Sequence, residues 1–263
     1  MDTWMITGGM VLIAVLASTG LFFFITTRGA LVMRELLPGA KNETSHVYPI
    51  YSSMRLIKAV DFQPIISAIL LFQYHRLVSK IVAGLKPAYL KNKKVLITSC
   101  AFGNVIPRVV KASLQAGAER VLIADIIQNE LVHARSKLGD FAEKVDYIED
   151  DATAMKQGDG TAAANVMFFL LHELPHPLKV KALQEARRVL APGGKLFLAE
   201  FHRPKLWVLR ALSWTYFKVF EPLGLALWDT HDPIHCLEEM GGWTCERSTY
   251  FFGNFQIVTA TKL

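Results

Sequence analysis

Cysteine is scarce in this chain of 263 residues. Only Cys100, Cys236 and Cys245 occur, odd in number and without a C-x-x-C pair, so neither a disulfide framework nor a zinc ribbon is expected. Basic residues exceed acidic ones by six, yet no basic run or RNA-binding signature accompanies the excess. Nucleic acid is therefore not an expected partner, and an anionic membrane surface suits the charge better. Twin-arginine and lipidation motifs are also missing.

Charge is absent altogether from Trp4 to Thr27. At about 1.5 Å of helical rise per residue this segment reaches roughly 36 Å, enough to cross a bilayer core. Asp2 alone precedes it, whereas Arg28 and Arg34 follow. The positive-inside rule then puts the N-terminus outside and the remainder in the cytoplasm. A cleaved signal peptide lacks its basic leader here, and a mitochondrial transit segment lacks its arginines, so an anchor in a bacterial inner membrane is expected. Hydrophobic residues make up 52% of the chain, high for a freely soluble enzyme. The length suits one large domain with appendages: an anchor over residues 1–28, a helical cap over 29–92, and an α/β core over 93–263 that carries a lipophilic insertion at 201–240.

What is present begins at Lys93. KKVLITSCAFG reads as a short strand collapsing into small residues; Asn104 is placed to cap the helical pattern IPRVVKASLQAGA, with Pro107 early in it. ERVLIAD is a second strand ending in Asp125. Strand, tight turn, helix, strand and acid is the arrangement that binds an adenosine-containing cofactor, because small residues admit the ligand and the acid accepts from ribose hydroxyls. The glycines, however, are depleted. Where a D/E-x-G-x-G-x-G turn has its acid stands Ile97, and Ser99, Ala101 and Gly103 occupy the glycine places. Ser99, Cys100, Ala101 and Gly103, with Asp125 and Ile126, are the candidate cofactor turn. KVDYIEDDATA is a third strand, whose end offers Asp151 and Ala152 to an adenine, or simply makes an acidic turn.

Upstream, YPIYSSMRLIKAV and PIISAILLFQYHRLVSKIV each show helical periodicity. Downstream, NVMFFLLHELP reads as a wholly buried strand with His172 and Glu173 at its carboxyl end, the end that faces the ligand crevice. VKALQEARRVLAPGGKLFLAEF is a helix, a Pro-Gly-Gly turn and a strand tipped by Glu200, with His202 just beyond. WTCERSTYFFGNFQIVTATKL is an antiparallel pair turning near Gly253–Asn254. The helix, PGG turn and strand resemble class I methyltransferases dependent on S-adenosylmethionine (SAM). LLHELP, DDATAM and Asp125 match further parts of that pattern in the right order. The resemblance implies a Rossmann-like, mostly parallel seven-stranded sheet that binds SAM.

With the uncharged N-terminal run, the depleted turn and the block HRPKLW…YFKVFEPLGLALWDTHDP, the chain resembles the rhodoquinone biosynthesis family, related to the ubiquinone and menaquinone C-methyltransferases. That implies ubiquinone as substrate, a ring methoxy group replaced by an amine taken from SAM, and a divalent metal such as manganese. Candidate catalytic groups are His172, Glu173, Glu200 and His202. The run Asp229, His231, Asp232 and His235 supplies mixed oxygen and nitrogen donors of a kind manganese accepts; alternatively its acids cap the turn before Pro233. The lipophilic insertion, with Lys205, Arg210 and Lys218 among its tryptophans, suits contact with membrane lipid. An ordinary quinone or lipid methyltransferase and a non-catalytic scaffold are the alternatives.

Overall fold

The computed structural model describes residues 51, 53–219 and 221–263, together with residues 8–10, 13–14, 17–18 and 21, which are helical and exposed. Most of the anchor expected between Trp4 and Thr27, and the linker after it, lies outside the described residues. Among the described residues no helix is long and apolar enough to cross a membrane.

Seven strands make one sheet in the order β3-β2-β1-β4-β5-β7-β6. β1 (Lys94–Thr98), β2 (Arg120–Asp125), β3 (Val145–Glu149), β4 (Ala162–Phe168) and β5 (Leu190–Phe201) are parallel; β7 (Phe255–Lys262) runs antiparallel to both β5 and β6 (Trp243–Tyr250). Helices cover the sheet, so its central strands are largely apolar: all of β4 and all but the first residue of β1 are buried, and the polar Thr98 and Asn165 among them bond to each other at 2.8 Å. The strand order reverses between β1 and β4. A crevice opens at such a switch point, outside the carboxyl ends of the strands.

Among the described residues from Ser53 onward, four helices precede the sheet: α1 (Met54–Val60), α2 (Gln63–Ile69), α3 (Tyr74–Gly84) and the single turn α4 (Pro87–Leu90). The unbroken helix expected over PIISAILLFQYHRLVSKIV is divided, because Leu71 and Phe72 take φ of 49° and 59°. The break re-aims the chain so that Ile66 and Leu70 before it, and Tyr74, Leu77, Val78 and Ile81 after it, all reach the sheet's own core. Contact is close: a Cβ added at Gly84 would collide with the Phe197 ring of β5.

Five more helices follow or alternate with the strands: α5 (Val105–Gln115), α6 (Gln128–Ser136), α7 (His176–Val189), α8 (Trp207–Val219) and α9 (Pro233–Met240). The strand expected to run through Pro175 stops at Phe168, since Phe169 adopts φ 56° and Leu171–Glu173 wind into a 3₁₀ turn. The Pro-Gly-Gly turn is where β5 shifts register against β4, between Ala162 and Ala164. Gly193 there takes φ 74°.

Candidate cofactor and active site

The turn after β1 keeps a glycine-like backbone without the glycines. Ser99 stands at φ 72° and Gly103 at φ 80°; the first is a left-handed conformation that costs a residue with a Cβ about 1–2 kcal/mol. Ile97, at the place of an acid, is buried in the core. Two bonds from the turn go to the Asp125 carboxylate at the end of β2, from the Cys100 N–H (2.5 Å) and the Ser99 hydroxyl (3.3 Å), and the carboxylate also accepts from the Ile127 N–H just after the strand (2.7 Å). Burial pushes the Asp125 pKa up, and the two backbone donors pull it back.

The far side of the turn is held by residues that no motif in the sequence singles out. Asp61, just past α1, accepts the Gly103 N–H at 2.5 Å and pairs with His133 at 2.9 Å and Lys137 at 3.1 Å. Lys137 also donates to the Gly103 carbonyl. Asn104 makes no side-chain cap for α5. Its place is taken by Tyr74 of α3, whose hydroxyl accepts from the Val105 N–H at 2.7 Å and donates to the Phe102 carbonyl at 3.1 Å. Nothing local in the sequence marks Tyr74, which lies 31 residues from Val105 and 28 from Phe102.

The crevice itself is lined by Ser99, Cys100, Asp125, Ile126, Asp151 and Ala152, six of the eight residues expected to hold a cofactor. Ala101 packs against the core instead, and Gly103 lies against Tyr74 and Gln63. Burial and Asp125 push the Cys100 thiol pKa well up, so it is a neutral packing group at ordinary pH. Asp151 spends one oxygen on Thr153, and Ile126 offers the crevice an apolar surface, being 43% exposed.

Tyr51, Glu130 and Glu173 line the same crevice. The Tyr51 ring stacks on Phe102 of the turn at 5.9 Å, and its hydroxyl donates to Glu173 Oε1 at 2.8 Å. Glu130, in the first turn of α6, is 2% exposed and its Oε1 has no partner. Burial, then the nearby Asp125 charge, raise its pKa to about 8. Burial likewise lifts Glu173 to about 7, against a lowering by His172 and Tyr51.

His172 and Glu173 sit on the 3₁₀ turn rather than on a strand end. Glu200, wholly buried, accepts from the Leu171 N–H (2.6 Å), the Phe201 N–H (3.1 Å) and His172 Nδ1 (3.2 Å). It is thus a positioning residue, its oxygens committed to the turn. Burial disfavours charge on His172, but the Glu200 carboxylate more than offsets this and raises its pKa to about 9. Lys179 of α7, also buried, donates to the Leu171 and Leu174 carbonyls at 2.7 and 2.5 Å and fixes the turn from below. His202 faces elsewhere: its Nδ1 donates to the Gly253 carbonyl at 2.7 Å and it is not among the lining residues.

The expected manganese ligands are not gathered. Asp229 pairs with Arg203 at 2.9 Å, His235 pairs with Glu239 at 3.2 Å, and the His231 ring stacks on His176 at 4.8 Å. Asp232 caps α9 through the Ile234 and His235 N–H groups and contacts Arg247. Capping therefore explains Asp232, and among the described residues no cluster of three or more His, Cys, Asp or Glu is arranged to hold a metal.

Residues 42–239 match the ubiE/COQ5 methyltransferase family. The chain belongs to this family. Among its relatives, the ubiquinone/menaquinone biosynthesis C-methyltransferase of Bartonella quintana is 29% identical over 163 residues, 61% of this chain and 62% of that one. The Methylobacterium nodulans enzyme of the same name is 31% identical over 126 residues, 47% and 48% of the two chains. Under two thirds of the length of these relatives is thus spanned. Among solved structures, an O-methyltransferase family protein of Burkholderia thailandensis aligns with a TM-score of 0.62 at 15% identity, over 81% of this chain and 62% of that one. The N-methyltransferase NodS of Bradyrhizobium japonicum, in complex with S-adenosylhomocysteine, aligns at 0.51 and 13% identity over 73% and 87%. These likenesses establish the Rossmann-like class I methyltransferase fold.

Proposed function

We propose that this chain is a SAM-dependent methyltransferase acting on the ring of a polyprenyl quinone or its quinol precursor. The observation that carries this is the crevice at the β1/β4 switch point, where Asp125, Ile126 and Asp151–Ala152 meet the Tyr51–Glu173 pair. These residues fit SAM. Asp125 suits the ribose hydroxyls, Ile126 and Ala152 the purine faces, and Asp151 its exocyclic amine. The unpartnered Glu130 carboxyl, kept protonated at neutral pH by burial, would ionise against a cationic methionyl end and so give it the charge partner that Ile97 does not. Bound there, SAM supplies a sulfonium-activated methyl group.

The residues around it have protons to manage. C-methylation needs an electron-rich ring carbon, hence a deprotonated ring hydroxyl, and afterwards loss of the proton from that carbon. Glu173, with a pKa of about 7, is poised to take a proton near neutrality. His172, kept protonated by Glu200, lies behind the lining and acts on the crevice through Glu173, whose pKa its charge lowers.

A second reading is favoured by the loss of the acid and glycines at Ile97, Ser99 and Ala101. In it the methionyl end is re-aimed: its α-amine adds to a ring carbon of ubiquinone, the methoxy group leaves as methanol with a proton from the amine, and cleavage of the N–Cα bond then frees the ring amine, as in rhodoquinone formation. Manganese does not fit the residues proposed for it, and no step is assigned to it.

One experiment separates the readings. Purified protein is incubated with ubiquinone, or with a ring-demethylated quinol, and SAM labelled with ¹³C in the methyl or ¹⁵N in the α-amine, and the extracted quinone is weighed by mass spectrometry. ¹³C in the product supports methyl transfer; ¹⁵N on the ring establishes amine transfer instead. Failure to bind SAM by calorimetry would leave the scaffold alternative standing.

A further inference from the structure

A surface helix ordinarily turns its apolar stripe to the core. α8 does the opposite over much of its length. Trp207 is 77% exposed, Leu212 65%, and Val208 and Trp214 50% each; Ala211 and Thr215 lie on the same outward face. Phe217, pointing inward, is buried. Two neighbours extend the face: Leu206 just before the helix, and Phe252 in the β6–β7 turn, whose carbonyl accepts the Lys205 N–H at 2.8 Å.

The chemistry of the rim indicates what covers this face. Exposed tryptophans interleaved with cations are the composition of the bilayer interface, where an amphipathic ring meets both acyl chain and headgroup. Lys218 lies over the Trp214 ring at 5.5 Å and Lys205 is exposed at the other end of the helix. Arg210 folds back onto the Pro204 and Lys205 carbonyls, keeping its charge off the apolar face. The chain as a whole carries six more basic than acidic charges and an uncharged run from Trp4 to Thr27, both suited to an anionic membrane.

We propose that the outward face of α8, with Leu206 and Phe252, lies in the headgroup–acyl boundary of an anionic bilayer. The inner side of the same helix packs behind the site, its residues outside the crevice lining. Phe217 packs on Phe201 at 4.9 Å, and Phe201 on His172 at 5.1 Å. Lipid and His172, the neighbour of the crevice residue Glu173, are thereby separated by two rings. This contact holds whichever group is transferred.

The test uses the full chain carrying Trp4→Phe, reconstituted in vesicles of phosphatidylcholine and phosphatidylglycerol brominated high on the acyl chains. About half of the tryptophan emission is expected to be quenched, and the loss should shrink at least about twofold when Trp207→Phe and Trp214→Phe are added. Equal quenching with and without those substitutions would overturn the proposal. So would emission indifferent to bromine together with disulfide-linked dimers of Leu212→Cys, which would make the face a contact between two copies. Quenching that is no weaker in phosphatidylcholine alone would overturn its anionic part.

Discussion

Glu130 is a carboxyl with no hydrogen bond on Oε1 in a crevice that already holds Asp125 and Glu173, and its titration should be visible in stability. Its folded pKa lies near 8 against an ordinary 4.5, and that of His172 near 9 against 6.5. Between the ordinary and folded values the native state binds more protons than the unfolded chain, so stability falls as pH rises. Ligand-free Tm is accordingly expected to decline from pH about 5 to about 8, and Glu130→Gln should flatten the decline; an unchanged slope would remove Glu130 as its source. Tyr51→Phe removes the hydrogen bond that lowers the Glu173 pKa. The rising limb of the pH–rate profile should then move to higher pH, whereas a structural role alone would lower the rate without moving the limb. Asp125→Ala should weaken SAM binding by roughly tenfold or more, measured by calorimetry. Asp125 was legible in the sequence because a strand-ending acid follows the turn at a known spacing. Glu130, Lys179 and Asp61 were not, because their significance lies in partners or vacancies that only the fold brings together.

Among the elements, the turn after β1 is held by its surroundings more than by its own residues. Ser99 occupies φ 72° without being glycine. Ser99→Gly is expected to stabilise the protein by about 1 kcal/mol in urea unfolding, the relief of left-handed strain outweighing one long hydrogen bond. A loss of stability would show that the Ser99–Asp125 bond outweighs the strain. Tyr74→Phe leaves the Val105 N–H and the Phe102 carbonyl without their partner and should cost about 1–2 kcal/mol. The order of strands and helices was readable from apolar runs and from the PGG and Gly253–Asn254 turns. Two boundaries were not. Leu71, Phe72 and Phe169 all take positive φ, a conformation that no local pattern of large apolar residues announces and that tertiary packing imposes.

At the scale of the molecule, the topology accounts for where chemistry is found. Asp125, Asp151 and Glu173 are far apart in sequence yet meet because β1 to β4 deliver their carboxyl ends to one edge. The run from Asp229 to His235 is compact in sequence but dispersed in space, since a turn and the start of α9 point its side chains to different neighbours. Exhaustive chelation is therefore expected to leave Tm unchanged, whereas a fall of several degrees would reinstate those residues as ligands. Proximity along the chain was the weaker guide here, and position at a strand's carboxyl end the stronger one.

The single oxygen of Tyr74 has a bearing on how such proteins can be recombined. It belongs to a helix that precedes the sheet, yet it completes the start of α5 and the turn before it. A relative's glycine-rich turn grafted into residues 99–104 must present its backbone to that phenol and to Asp61 in the same places, and moving this turn elsewhere would strand the Val105 and Gly103 N–H groups. The unit that can be exchanged intact runs from Tyr51 through the turn to Lys137, so crossover points that preserve function belong before Tyr51 and after Lys137, not at the edges of the motif.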